Sequence, residues 1–181
     1  MNRRDFLKGT LAGISLAALS CALRAAEAGK SAPNIVMIIG DDYSWPYYGF
    51  MGNTEVRTPR LDRLAAESAR FNYGYVAAPL CCPSLAAMLT GLHPHQNGVL
   101  GNEPPPKSGD RTRFYELVEK VPTVPRLLAG RGYLSFQTGK WWHGHFKRGG
   151  FTHGMTTAGR HGDAGLKIGR ETMRPMWDFI A

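Results

Sequence analysis

The chain has 181 residues, is 43% hydrophobic and carries a formal net charge of +8, which suits one globular domain or part of a larger one. No basic run is interleaved with aromatics, so nucleic acid is not an expected partner. Outside the first 28 residues the only cysteines are Cys81 and Cys82, and two adjacent cysteines cannot staple a fold, which excludes a disulfide scaffold.

The first segment has the pattern of an export signal. Arg3 and Arg4 precede Phe6, a soft apolar stretch follows from Gly9 to Leu23, and Ala26-Glu27-Ala28 places small residues where a signal peptidase cuts. Residues 1–28 are therefore expected to be a twin-arginine signal peptide, with twin-arginine export machinery as a partner and a periplasmic or secreted destination. The run is too short and too rich in small residues to span a bilayer well, so no stable membrane anchor is expected. Its removal leaves 153 residues with a net charge of +6. A modest positive field favours anionic substrates, although ordinary surface lysines and arginines give the same sum.

Residues 34–39 form an apolar, partly β-branched run that predicts a buried strand of a parallel sheet. Thr58-Pro59 opens a helix with Leu61, Leu64, Ala65 and Ser68 as its inner stripe. Residues 71–76 are expected to be extended. Pro83 begins a second helix that Gly91 ends. Residues 93–109, rich in Pro, Gly and Asn, are read as a long surface loop. Thr123 caps a short helix reaching Gly130, residues 133–138 predict another strand, and the Gly, His and Trp composition that follows predicts loops. Residues 171–180 predict a helix with Met173, Met176 or Trp177, and Ile180 facing inward. Strands alternating with helices predict an α/β fold with a mainly parallel sheet flanked by helices. Ligands in such folds gather beyond the carboxyl ends of the strands. Asp41-Asp42 and Lys140 each follow a predicted strand, and Cys81-Cys82 stands at a helix start.

These residues carry the candidate chemistry. Asp41 and Asp42 are adjacent carboxylates whose repulsion a hard divalent cation relieves, and oxygen ligands suit calcium or magnesium. One solvated aspartate beside a turn cap is the plain alternative. A cysteine at a helix N-terminus has a favoured thiolate and a place for an oxyanion, or is simply a small apolar side chain. Lys140 can act as a point charge on a bound anion, or lie on the surface. The pairs His93/His95 and His143/His145 have spacing that zinc accepts.

The segment Cys81-Cys82-Pro83-Ser84-Leu85-Ala86-Ala87-Met88-Leu89-Thr90-Gly91 resembles the sulfatase signature, Cys-x-Pro-Ser-Arg followed by Leu-Thr-Gly. Pro33 to Asp42 looks like the first strand and metal-binding aspartates of that family, Thr58 to Ala65 like its next helix, and Gly132 to Trp141 like its second signature. The resemblance implies an alkaline-phosphatase-like α/β fold. It implies that a formylglycine-generating enzyme oxidises Cys81 to formylglycine, whose hydrate attacks the sulfur of an aryl or carbohydrate sulfate ester. It implies that Asp41, Asp42 and the modified Cys81 hold Ca2+, with Mg2+ as the alternative, and that Lys140 binds a sulfate oxygen.

The sequence departs from the family pattern at two places. Leu85 replaces the arginine after Pro-Ser, and Trp142 replaces the histidine two residues past the lysine, with His143 one step later as its candidate substitute. The remaining metal ligands of the family have no matching context before Ala181, so residues 29–181 are expected to be the N-terminal part of a catalytic domain. A non-catalytic binding protein of the same fold, and a phosphomonoester or phosphonate hydrolase of the same superfamily, are the competing functions.

Overall fold

A computed structural model describes residues 32–104, 109–158 and 161–181. The expected signal peptide, residues 1–28, and with it the question of an anchor, lies outside them. Among the described residues no helix is long and apolar enough to cross a membrane. The chain divides after Tyr43 into two units.

In the first unit the expected strand is not formed. Residues 34–39 enter no ladder, and Ile38 is 82% exposed. An apolar run of this kind becomes a strand only when neighbours pair with its edges and cover its faces. Local pattern gives the tendency but not the partner.

The second unit begins with two 3-10 turns, Trp45–Tyr47 and Gly49–Met51, and then helix α1 (Pro59–Ala66). Proline at the first turn starts α1 as expected, but its anchor is polar rather than apolar. Asp62 accepts from the Phe50 backbone N–H at 2.8 Å and from the Thr58 hydroxyl at 2.7 Å, while the Gly49 N–H donates to Thr58 Oγ1 at 2.8 Å. The helix is thus docked by its aspartate, and the expected inner stripe is outward: Leu61 and Leu64 are both exposed. Residues 71–76 also remain outside any ladder, with Phe71, Tyr73 and Tyr75 exposed.

Helix α2 (Cys81–Thr90) is the spine of the core. It starts two residues earlier than expected, because Pro83, which has no N–H to lose, is tolerated inside a first turn. It ends at Gly91, whose φ of 69° is the left-handed cap that glycine adopts without a Cβ penalty. The segment read as a surface loop folds back on this helix. Pro94–Asn97 forms one helical turn, α3, and Asn97 and Val99 are buried. Helix α4 (Arg111–Glu116) was not expected from the sequence. Asp110 caps it by accepting from the N–H groups of Thr112 and Arg113, and Phe114 is its buried side chain. Cys82, Ala86, Val99, Phe114, Val118 and Trp142 form one buried cluster, with Cys81, Leu85, Tyr115 and Leu117 packed around it.

Helix α5 (Val124–Ala129) forms where expected, but Thr123 does not cap it. Its hydroxyl is fully buried and donates to the Gly149 carbonyl at 2.7 Å, fastening α5 to the 3-10 turn Phe146–Gly149. Arg126 reinforces this join by donating to the carbonyls of Val118, Val121 and Arg148.

The expected strand at 133–138 is reduced to β1 (Phe136–Gln137), which pairs in parallel with β2 (His153–Gly154), a strand in the segment read as loop. Ser135 and Thr152 lock the entrance to this pair: the Ser135 N–H donates to Thr152 Oγ1 at 2.7 Å and the Thr152 hydroxyl to the Ser135 carbonyl at 2.8 Å. Helix α6 (Arg174–Ile180) starts three residues later than expected, with Pro175 in its first turn. Phe179 is the side chain that packs, 5.1 Å from the ring of Phe136 and 5.3 Å from that of His153, whereas Trp177 and Ile180 face solvent.

Beyond β1, the turn Gly162–Gly165 closes over the backbone of residues 139–141. Gly139 donates to the Gly165 carbonyl at 3.0 Å, and Thr156 donates its hydroxyl to the Gly162 carbonyl at 3.0 Å. Gly162 sits at φ 111°, and a Cβ there would stand 2.5 Å from the Gly139 carbonyl oxygen. Gly162→Ala is therefore expected to cost on the order of 3 kcal/mol, because strain and a backbone clash add. Gly91→Ala, with open space around its Cβ, is expected to cost only about 1 kcal/mol. Urea unfolding of both variants checks this; equal losses would show that the contact of the 162–165 turn with residue 139 contributes nothing.

Candidate active site

Cys81 is the first residue of α2, where the amide N–H groups of an unfinished turn give a positive end. The residue before it, Leu80, is in extended conformation and has no side chain able to cap. The missing acceptor comes from 20 residues away. Asn102 Oδ1 accepts the Cys82 backbone N–H at 3.1 Å and faces Cys81 Sγ at 3.4 Å. Cys81 is half-buried and Cys82 is fully buried; both are free thiols.

The two cysteines thus have different chemistry. The Cys82 thiol is pushed up to about 12, first by burial and then by the neighbouring Cys81 and Glu103, with Arg111 opposing. It is a neutral packing group. Its sulfur lies 3.9 Å from Nε2 of His143, which is only 2% exposed. Burial lowers the His143 pKa to about 4, so its ring is neutral at ordinary pH; the Phe114 backbone opposes that shift without reaching hydrogen-bond geometry at Nδ1. The His143 ring stacks on Phe114 at 5.4 Å and meets the edge of Trp141 at 5.5 Å. The histidine singled out from the sequence is therefore inside the core, against Cys82, rather than at the surface beside Cys81.

Lys140 follows β1 on the segment that the 162–165 turn holds down. Its ammonium lies over the Trp142 ring, 5.9 Å from the centroid, a cation–π contact that keeps the charge at the surface of the core. Trp142 is buried in the same cluster against which Cys81 packs, and His161 meets it edge-on at 4.9 Å. The structure thus brings Cys81, Cys82, Lys140 and His143 around one apolar cluster. Trp142, which replaces the histidine of the family pattern, is the floor beneath Lys140.

Asp41 and Asp42 belong to the other unit, and both are exposed. Asp42 has φ 56°, a left-handed conformation that aspartate tolerates better than most residues. Adjacent carboxylates are hard oxygen donors, the chemistry calcium prefers. Among the described residues no group of three or more His, Cys, Asp or Glu side chains is gathered for a metal. The His93 and His95 rings stack at 5.8 Å without joining such a group.

Asn102, Gln137, Thr156 and Gly162 position the site and were not visible as such in the sequence. Buried Gln137 donates to the Gly139 carbonyl at 3.4 Å and accepts the Thr156 N–H at 3.3 Å, bracing the chain just before Lys140. A helix preceded by leucine signals that a cap must come from elsewhere, but not from where.

Comparison with known proteins matches this arrangement to a family. The chain is 38% identical over 134 residues to N-acetylgalactosamine-6-sulfatase of Canis lupus familiaris, covering 72% of this chain and 25% of that protein. It is 40% identical over 133 residues to arylsulfatase A of Homo sapiens, covering 74% and 25%. It is 39% identical over 152 residues to steryl-sulfatase of Mus musculus, covering 79% and 22%. Among solved structures it resembles the crystal structure of Ps i-CgsB, with a TM-score of 0.60 and 32% identity over 71% of this chain and 29% of that one. The chain spans about a quarter of the length of the curated relatives it matches. The sulfatase family model matches residues 33–175, from the apolar run before Asp41 into α6, and the chain belongs to the sulfatase family.

Proposed function

We propose that this chain supplies the nucleophile-bearing part of a sulfuric ester hydrolase with an alkaline-phosphatase-like α/β fold. The observation that carries the reading is the placement of Cys81. It is half-buried at the positive end of α2, and its thiol packs against the cluster whose Trp142 ring carries the Lys140 ammonium. A tetrahedral anion brought to that thiol would meet a helix terminus, and the Lys140 ammonium, held on a ring of the same cluster, is the cation assigned to it in this reading.

Oxidised to formylglycine by a formylglycine-generating enzyme and hydrated, position 81 would offer an oxygen nucleophile for sulfur. The residues around it do the rest. The first turn of α2 orients the side chain, Lys140 stabilises charge that develops on sulfate oxygens, and the buried Cys82–His143 pair fixes the helix against the core. Asp41 and Asp42 supply carboxylates for Ca2+, or Mg2+ in its place, and the bound cation would neutralise sulfate charge. The named relatives act on different sulfate esters by their names, so the class proposed is an organic sulfate, aryl or carbohydrate. Export by the twin-arginine machinery to the periplasm or beyond remains part of the reading on the strength of Arg3-Arg4 and Ala26-Glu27-Ala28.

One observation favours a non-catalytic member. Leu85, where the family pattern has arginine, is packed against the apolar cluster and cannot bind an anion. A phosphomonoester or phosphonate hydrolase uses the same groups and is distinguished by the substrate.

Mass spectrometry of the peptide carrying Cys81, from cells that contain the modifying enzyme, is expected to show an aldehyde. An intact thiol in every molecule would remove the catalytic reading. In the active protein, Lys140→Ala is expected to lower kcat/KM for an aryl sulfate by about a hundredfold or more. Faster turnover of the matching aryl phosphate would make the phosphate ester the substrate. Asp41→Asn and Asp42→Asn are each expected to weaken calcium binding in a calorimetric titration, and unchanged affinity would place the ion elsewhere. The neutral His143 also sets an acid limit. Its pKa is lowered from 6.5 to about 4 in the folded chain, so the unfolded chain binds the proton first as pH falls. Its stabilising contribution is complete above pH 6.5 and is lost as pH falls towards 4, by on the order of 3 kcal/mol. His143→Leu is expected to flatten the stability profile between those values; a profile as steep as the wild type would assign the acid loss to other groups.

A further inference from the structure

The N-terminus of α2 is capped by a side chain that neither the helix nor the residue before it provides. Leu80 has none to offer, Pro83 has no N–H, and Ser84 N–H returns to the Leu80 carbonyl at 3.0 Å. Of the first-turn donors that remain, the Cys82 N–H goes to Asn102 Oδ1. The same oxygen faces Cys81 Sγ. Asn102 stands between two anchored positions of the chain. Val99 is fully buried in the core cluster, and Glu103 is ion-paired with Arg111 at the start of α4. One acceptor therefore touches both the helix end and the candidate nucleophile.

We propose that Asn102 is the positioning residue for the side chain at position 81, a role that rests on Cys81 as the nucleophile. Its carboxamide oxygen accepts the S–H of the unmodified thiol and is placed to accept a hydroxyl of the hydrated aldehyde, which leaves the remaining oxygen free to face an ester. The choice of an amide has a physical reason. A carboxylate would cap the helix as well, but its charge would cancel the positive end that receives an anion. Asparagine satisfies the donors and leaves that field in place. With Leu85 turned into the apolar cluster, Asn102 grips position 81 from outside α2.

Two measurements test this. In the unmodified chain, iodoacetamide alkylation is followed at Cys81 by peptide mass spectrometry; buried Cys82 does not compete. Asn102→Ala is expected to alkylate Cys81 about fivefold faster, the loss of one neutral hydrogen bond, whereas Asn102→Asp, which keeps the acceptor, is expected to be no faster than wild type. In the modified protein, Asn102→Ala is expected to lower kcat for an aryl sulfate about tenfold with KM unchanged, and Asn102→Asp to raise KM chiefly, through repulsion of the anion. If the alanine chain fails to fold, Asn102→Gln, which keeps the amide and displaces its oxygen, takes its place in both arms. An alkylation rate in the alanine or glutamine variant equal to wild type overturns the positioning role. A wild-type Cys81 that is never oxidised, with alkylation still faster in the variant, leaves the grip of Asn102 on the thiol standing and removes the catalytic reading instead.

Discussion

The structure of the site depends on how the first turn of α2 is satisfied. A helix leaves its leading N–H groups without intrahelical partners, and a leucine at the cap position cannot help. The solution used here is long-range: the chain leaves α2 at Gly91, turns through α3, buries Asn97 and Val99, and returns Asn102 to the helix start. Because the returning segment is anchored by burial, the cap is fixed by the core rather than by the loop alone. The same burial sets Cys82 and His143 face to face and leaves Cys81, one residue earlier on the helix, partly open to solvent.

Elements with local punctuation were legible in the sequence. Thr58-Pro59, Pro83 with Gly91, and Thr123 with Gly130 mark three helices that form within a residue or two of expectation. What failed was everything set by a distant partner. Residues 34–39 have the composition of a buried strand and yet no ladder, since periodicity records a tendency and pairing needs a neighbour. Strand β2 was missed because His153-Gly154 has no strand character of its own; Ser135 and Thr152 hold it to β1 by side-chain hydrogen bonds. In α6 the apolar pattern offered Met173, Met176 or Trp177, and Ile180; the two methionines are half-buried, but Trp177 and Ile180 are exposed and the ring that packs on Phe136 is Phe179. In α1 a buried-looking stripe lost to Asp62, whose two hydrogen bonds dock the opposite side.

The site was legible as a set of residue types and not as a geometry. Cys81 and Lys140 could be singled out because helix starts and strand ends are where α/β folds place chemistry. The roles of Trp142 and His143 could not be separated from sequence, since both follow the lysine within three residues. Packing separates them. Trp142 turns under Lys140, and His143 turns into the core against Cys82 and Phe114. Asn102 had no local signal at all, because an asparagine in a Pro- and Gly-rich stretch is ordinarily a turn residue.

These placements have one electrostatic consequence. The groups directly behind Cys81 are all uncharged: a thiol that stays protonated, an imidazole that stays neutral and a carboxamide. Glu103, whose charge is felt at Cys82, is ion-paired with Arg111. In the proposed site the positive end of α2 would therefore meet an incoming anion with neutral groups packed behind Cys81. A charged histidine at the Cys82 face would add a cation but would pay a desolvation penalty in a core that excludes water. A neutral His143 gives up that cation and packs against Cys82 behind the helix start, so any positive charge brought to an anion at position 81 has to come from the helix end and from Lys140 above the Trp142 ring.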